Sequence, residues 1–290
     1  MKYLFIGNSY TWCSMHLMPH ILNKCGDHDI EITMIYISGA NPHNFVEGFD
    51  INMSKKLGDD IKTVPSNNVI YTYIKGDNNY KLEKMPNISI KDVVKNNNYD
   101  KIVINICNTY FHYAWHYIFM WKHFKKFISL IRNYHKGEIY YLEEPVISPY
   151  SDVCSYSKKY FYGGTNALCY NKNDMYSNVN FAINKLSQKL NFEVIRIRLN
   201  YLHLQETSLN NECDLLIDGR HPDSSIGKYL CCAVIYYKLF YNITKIKLSD
   251  IEFTYASDAH YVLNKNMLSV PVNEDNKAIV DNIVENFYQI

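Results

Sequence analysis

Short apolar runs alternate with segments of helical periodicity along most of this 290-residue chain. The runs that suit buried strands are 3–6, 31–37, 101–106, 138–142 and 192–197. The segments that suit helices are 15–25, 90–94, 115–134, 173–190, 226–241 and 275–288. Pro19 indicates that the first of these helices begins near that residue, because proline is tolerated only in a first turn. The alternation predicts an α/β fold with a parallel sheet and helices on both faces.

Three regions depart from this alternation. The run 69–74 is β-rich but lies among polar residues, which predicts an edge strand or a hairpin arm. The polar and aromatic stretch 148–173 is too long for a simple connection and predicts a lid or a binding loop. The tail 244–290 follows no linker. We therefore expect one domain over 1–290, with a core over 1–243 and a C-terminal extension over 244–290.

Charge and cysteine content narrow the class of protein. The chain has 30 basic and 29 acidic residues, a formal net charge of +1, which gives no field for attracting nucleic acid. No stretch approaches the roughly 20 apolar residues of a membrane span. Eight cysteines form no CxxC pair, and no charged and apolar leader precedes the first strand. These features predict a cytoplasmic protein with reduced thiols that binds neither nucleic acid nor membrane.

Polar residues follow several of the predicted strands at the point where each strand ends. Ser9 follows the first strand, Gly39 the second, and Asn105 and Asn108 lie at or after the third. His221 follows the fifth strand. Because ligands bind beyond the carboxyl ends of parallel strands, we expect these residues to lie at one edge of the sheet.

Ser9, His221 and Asp218 are the residue types of an acyl-transfer site. A serine hydroxyl attacks an ester only when a base takes its proton, and imidazole is the natural base near neutral pH. A carboxylate on the other ring nitrogen fixes the tautomer, and Asp218 lies three residues before His221. Pro222 disfavours a helical conformation of His221, which indicates a loop.

A tetrahedral oxyanion needs donors that are already in place. The candidates are the backbone N–H groups of Ser9 and Gly39 and a side-chain amide. That amide is Asn108 or, as the second choice, Asn105.

At these residues the sequence resembles the SGNH hydrolases, also called the GDSL esterase/lipase superfamily. Gly7, Asn8 and Ser9 stand where that family has Gly, Asp and Ser, and the chain looks most like the subset with a GNSYT or GNSFT form. The segment 218–222 matches the family's DxxHP element. After the third strand the family has Gly-x-Asn-Asp, whereas this chain has Ile-Cys-Asn-Thr at 106–109, so the oxyanion role of Asn108 depends on the register.

The resemblance covers roughly 1–241 and implies a flavodoxin-like three-layer α/β/α sandwich. It implies Ser9 as nucleophile, His221 as base, Asp218 as the residue that orients the base, and Gly39 as an oxyanion donor. We therefore expect a serine esterase that hydrolyses a small, acetyl-like ester, with a small molecule or a glycan as substrate. Two alternatives remain at this point: an O-acyltransferase with the same site, and a non-catalytic glycan-binding protein on an SGNH fold.

Other groupings of reactive residues give weaker signals. His16 and His20, like His112 and His116, have the i, i+4 spacing of a zinc pair but lack the glutamate of an HExxH motif. Glu143 and Glu144 are adjacent at a strand end, where side chains point to opposite faces, so they do not suit the paired carboxylates of a glycosidase. Cys107 is best interpreted as a buried thiol. We expect no metal and no cofactor.

Overall fold

The computed structural model describes residues 1–37, 40, 42–50, 69–77, 79–83, 88–105, 116–145, 172–212, 215–216, 221–223, 225–256 and 269–290. The described strands form one seven-stranded sheet in the order β4-β3-β2-β1-β5-β6-β7. Their bounds are β1 Lys2–Gly7, β2 Glu31–Tyr36, β3 Val69–Tyr73, β4 Lys81–Glu83, β5 Lys101–Ile104, β6 Glu138–Leu142 and β7 Glu193–Ile195.

The centre of the sheet is parallel. Strand β1 lies between β2 and β5, and β5 pairs with β6, all in parallel. The predicted edge run is a hairpin, because β3 pairs antiparallel with β2 and with β4. Strand β1 is buried from its second residue onward, as is typical of a strand covered on both faces. Strand β2 is less uniformly buried.

The helices of the described chain follow the predicted alternation, with additions. They are α1 Ser9–Met15, α2 Met18–Lys24, α3 Pro42–Glu47, α4 Ile90–Asn96, α5 His116–Arg132, α6 Lys172–Leu190, α7 Ile197–Gln205, α8 Leu209–Glu212, α9 Ile226–Leu239, α10 Tyr241–Thr244 and α11 Glu274–Tyr288. Pro19 lies in the first turn of α2, as expected. Among the helices described, none is long and apolar enough to cross a bilayer.

The contacts of the chain divide it into two compact units. The first contains Met1–Trp12, Asp29–Leu142 and Met175–Val194, and its core packs α3, α4, α5 and α6 against one sheet face through Ile35, Ile70 and Ile104. The other face of the same sheet carries the start of α1, where the Trp12 and Tyr71 rings stack with centroids 4.3 Å apart. Ile70 and Tyr71 are adjacent strand residues and therefore point to opposite faces.

The second unit contains Cys13–His28, Glu143–Asp174 and Ile195–Ile290. Helix α9 is buried on nearly every side and packs with α7 and α11. Its sequence is apolar all round rather than along one stripe, which is the pattern of a helix at the centre of a core.

The predicted α/β class with a mostly parallel sheet is confirmed. Two details differ from the prediction. The run 192–197 is shorter as a strand, because β7 ends at Ile195 and α7 begins at Ile197. A further helix, α1, begins at Ser9, where the sequence predicted no helix before residue 15. The proposed division into a core over 1–243 and an extension stays a prediction.

Candidate functional site

Ser9 lies at the topological switch point of the sheet. The strand that precedes it, β1, has β2 on one side and β5 on the other, so the chain leaves β1 in one direction and returns on its opposite side. Ligands in open α/β sheets bind in the crevice at the carboxyl end of such a strand. Ser9 is the first residue of α1, where backbone N–H groups have no acceptor within the helix and can stabilise an anion.

Gly7 allows the chain to turn tightly ahead of Ser9. A Cβ at this position would collide with the Thr11 side chain and lie 3.1 Å from the Asn105 Cβ. The glycine is therefore required by space, because helix α1 and strand β5 both approach the end of β1 closely.

Asn8 fixes the start of the helix that carries Ser9. Its Oδ1 accepts the N–H of Tyr10 at 3.0 Å, which makes it the N-cap of α1. Its Nδ2 donates to the carbonyl of Ala40 at 3.2 Å, so one buried side chain connects the segments that follow β1 and β2. From the sequence, Asn8 was recognised only as part of the motif formed by Gly7, Asn8 and Ser9, and its capping role was not predicted. The signal that could have identified the cap is an asparagine immediately before a helix.

Asn105, the second choice for the oxyanion amide, follows β5 directly beside β1. Its N–H donates to the Ile6 carbonyl at 2.9 Å, and its Nδ2 donates to the Leu142 carbonyl at 2.8 Å. The side chain is 1% exposed. One of its two amide N–H donors is therefore used between β5 and β6, which is a structural role. Its role toward an oxyanion stays a prediction.

His221 lies outside helix and strand, as its neighbour Pro222 predicted. The loop is held by an antiparallel bridge between Leu216 and Pro222, and the N–H of Asp223 donates to the Leu215 carbonyl at 2.9 Å. His221 itself is half-buried. Its backbone is thus anchored on the side that leads into α9.

Asp223 is a second carboxylate near His221, but its oxygens are already occupied. Oδ1 accepts the N–H of Gly227, and Oδ2 accepts the Ser269 hydroxyl at 2.8 Å. Both oxygens of Asp223 therefore accept hydrogen bonds from residues other than His221. The role of Asp218 as the residue that orients the base stays a prediction.

Asp218, Gly39 and Asn108 lie outside the described residues, as do Cys107 and His112. Ser9 belongs to the first compact unit and His221 to the second. The triad and the oxyanion donors therefore remain predictions after the fold is known.

Two of the other reactive residues considered from the sequence, Glu143 and His16, lie in the described part of the structure, and their surroundings are clear. Glu143 is 3% exposed, and it forms an ion pair with Arg196 at 2.8 Å and accepts the N–H of Arg198. Burial lowers the pKa of His16 to about 4, with Lys228 and His20 adding to the effect. The described residues contain no group of three metal-binding side chains placed to hold an ion.

Comparison with known proteins identifies the fold. No protein-family model and no curated protein sequence matches the chain. Among solved structures, a DUF4886 family protein from Bacteroides uniformis is similar at a TM-score of 0.72 and 13% identity, covering 100% of this chain and 95% of that one.

Two further structures have a TM-score of 0.51. One is described as a putative SGNH hydrolase from Slackia heliotrinireducens, at 13% identity and covering 82% of this chain and 97% of that one. The other is an acetyl xylan esterase, AlAXEase, at 16% identity and covering 83% and 100%. At these identities the likeness shows a shared fold.

Proposed function

We propose that this protein is a serine esterase that removes a small acyl group, such as acetate, from an alcohol. Ser9 is the nucleophile, His221 the base and Asp218 the residue that orients the base. The observation that carries the proposal is the position of Ser9, which starts helix α1 at the carboxyl end of the switch strand β1.

The proposed reaction has two steps. His221 takes the proton of Ser9 Oγ as the oxygen attacks the ester carbonyl, and the protonated imidazole then gives that proton to the departing alcohol. Water, with His221 again as base, releases the acid and restores Ser9. Backbone N–H groups of Ser9 and Gly39, with the amide of Asn108 or Asn105, stabilise the oxyanion. The side chains supply nucleophile and base, so the reaction calls for no metal or organic cofactor.

The proposed substrate is an acetylated carbohydrate or a comparable small ester. Support comes from the fold shared with an acetyl xylan esterase and from the near-zero net charge, which suits an uncharged substrate. Fold alone does not define function, so the residues of the site carry the proposal and the likeness supports it.

The test is hydrolysis of p-nitrophenyl acetate by the purified chain and its variants. We expect a burst of p-nitrophenol followed by steady turnover. Ser9→Ala and His221→Ala should each lower kcat by about 10³-fold or more, because a triad loses most of its catalysis with either member. Ser177→Ala and His203→Gln, which change exposed residues of α6 and α7, are the matched controls and should keep wild-type rates.

Product analysis separates this proposal from its alternatives. Free acetate as the only acyl product supports hydrolysis, whereas an acylated glycan in the presence of an acceptor would show a transferase. A fluorophosphonate probe should label the folded wild-type chain and leave Ser9→Ala unlabelled. Full activity in Ser9→Ala, or a folded wild-type chain that the probe does not label, would overturn the assignment.

A further inference from the structure

Residues of the predicted C-terminal extension, 244–290, contact the loop of His221. The contact centres on Asp223, which lies two residues after His221 and is 2% exposed. Asp223 and the two residues that bond its carboxylate, Gly227 of helix α9 and Ser269 of the extension, are called the clasp below.

The first side of the clasp fixes the loop to the start of α9. The N–H of Gly227 donates to Asp223 Oδ1. A Cβ at Gly227 would collide with this oxygen and with the Tyr201 hydroxyl, so only glycine lets the carboxylate approach. The Tyr201 hydroxyl donates to the Leu215 carbonyl, which also accepts the N–H of Asp223. Helix α7 therefore supports the same loop through Tyr201.

The second side of the clasp comes from the extension. The Ser269 hydroxyl donates to Asp223 Oδ2 at 2.8 Å. One residue further, the Val270 carbonyl accepts the N–H of Ile226 at 3.1 Å. The extension thus bonds both the loop residue and the helix that follows the loop.

The extension is itself anchored on either side of these contacts. Tyr255 and Val272 exchange two backbone hydrogen bonds, of 2.8 and 2.7 Å. Further along, Asp281 of α11 accepts the hydroxyl of Tyr229, in α9, at 2.8 Å. Because α11 packs along α9, the chain is held in place shortly after Ser269.

We propose that the extension positions His221 through the clasp, with Asp223 and Ser269 as positioning residues. The proposal rests on the proposed function in one respect, the role of His221 as base. A general base must lie within hydrogen-bond reach of its proton, and a displacement of about 1 Å can cost about a hundredfold in rate. The clasp restrains the backbone at Asp223, two residues after His221. Loss of a clasp hydrogen bond should therefore lower the fraction of molecules in which the His221 imidazole lies within reach of Ser9.

The principal variant is Ser269→Ala, with Ser249→Ala, at an exposed position of the same extension, as the matched control. Loss of one hydrogen bond to a charged group predicts a fall in kcat of about tenfold in Ser269→Ala, with KM unchanged. Ser269→Thr keeps a hydroxyl and should recover most of the rate. Asp223→Asn replaces an acceptor oxygen by a donor, so it should lower kcat further.

A second measurement does not depend on activity. The ring signals of His221 in a histidine-labelled sample, assigned with His221→Ala, should broaden or split in Ser269→Ala and stay unchanged in Ser249→Ala. Exchange of the Asp223 amide, whose N–H donates to the Leu215 carbonyl, should accelerate in the same variant while the melting temperature changes little. If Asp223→Asn does not fold, Ser269→Ala alone decides.

The outcomes separate the two proposals. A folded Ser269→Ala with wild-type kcat and an unchanged His221 signal overturns the clasp, whatever the wild-type activity. An inactive wild type whose His221 signal still depends on Ser269 overturns the proposed function, while the clasp remains as the structural role of the extension. Equal effects of Ser269→Ala and Ser249→Ala would show a general loosening of the extension and would also overturn the clasp.

Discussion

At the scale of single residues, the two hydrogen bonds of the Asn8 side chain require an amide rather than a carboxylate at this position. The side chain must accept from the N–H of Tyr10 and donate to the carbonyl of Ala40. An aspartate can cap the helix equally well. Ionised, it cannot donate, and it would bring a negative charge against the carbonyl oxygen. The asparagine therefore belongs to a local arrangement in which the segment after β2 is bonded directly to the turn before Ser9.

The substitution Asn8→Asp tests this explanation. We expect the free energy of unfolding to fall by about 1–3 kcal/mol at neutral pH, because a buried hydrogen bond is lost and a buried carbonyl loses its donor. The loss should shrink as the pH is lowered and the new carboxyl group takes a proton that it can donate. Denaturant unfolding at pH 7 and pH 4.5 measures both.

The control for Asn8→Asp is Asn242→Asp. Asn242 is exposed, and its Oδ1 accepts from the Lys245 ammonium, a bond that aspartate keeps. The control should therefore change stability by no more than about 0.5 kcal/mol. If Asn8→Asp proves as stable as the wild type at neutral pH, the contact with Ala40 does not explain the asparagine.

At the scale of secondary-structure elements, the sequence predicted the strands and helices whose limits are set by local apolar patterns and turn residues. The buried strands β1, β2, β5 and β6 were predictable because apolar runs bounded by turn residues are typical of a parallel sheet. Helix α7 was missed because its first residue, Ile197, continues the apolar run of β7. Periodicity alone does not divide such a run, and only packing against α9 and α11 shows that its second part is helical.

The contacts that shape the candidate site are long-range, and no spacing rule reveals them. Asn8 bonds a carbonyl 32 residues away, and Asp223 bonds a hydroxyl 46 residues away. The sequence could thus identify Ser9 and His221 as reactive residue types, but not the residues that hold them in place. It also placed His221 directly after the fifth strand, whereas α7 and α8 lie between β7 and His221. The choice between Asn105 and Asn108 also stays open, although Asn105 now has a structural role between β5 and β6.

Helix α11 provides a prediction at the element scale. Lys277 and Asp281, four residues apart on its buried face, form an ion pair of 2.5 Å with side chains 7% and 4% exposed. Lys277→Met leaves Asp281 with the Tyr229 hydroxyl but no cation. We expect a loss of about 3–5 kcal/mol, because an unpaired buried charge is costly. Lys277→Met combined with Asp281→Asn should recover much of the loss.

The comparison for this helix is an exposed ion pair in the sheet. Lys2 and Glu31 lie 3.1 Å apart with side chains 54% and 40% exposed. Lys2→Met should cost less than about 1 kcal/mol, since solvent screens the pair. Thermal unfolding of both variants gives the contrast, and similar losses for Lys2→Met and Lys277→Met would show that burial of the helix pair does not matter.

At the scale of the whole molecule, the pH dependence of the unfolding free energy depends on two buried groups whose pKa values are shifted in opposite directions, His16 and Asp223. His16 has its pKa lowered to about 4 by burial, so its contribution is present above the ordinary value of 6.5 and is lost as the pH falls toward 4. Burial raises the pKa of Asp223 to about 6, although the hydrogen bonds from Gly227 and Ser269 oppose this. Its contribution is therefore present below 3.8 and is lost as the pH rises through 6. The two contributions change in opposite directions over the same interval.

Because each shift amounts to roughly 3 kcal/mol, the two groups should nearly cancel between pH 4 and pH 6.5. The unfolding free energy of the wild type is then nearly flat over that interval as far as these two groups are concerned. His16→Phe removes one contribution, so its stability should increase from pH 6.5 to pH 4. Asp223→Asn removes the other, so its stability should decrease over the same interval. Denaturant unfolding at half-unit pH steps measures the slopes, and parallel pH curves for the two variants would contradict the opposing titration of His16 and Asp223.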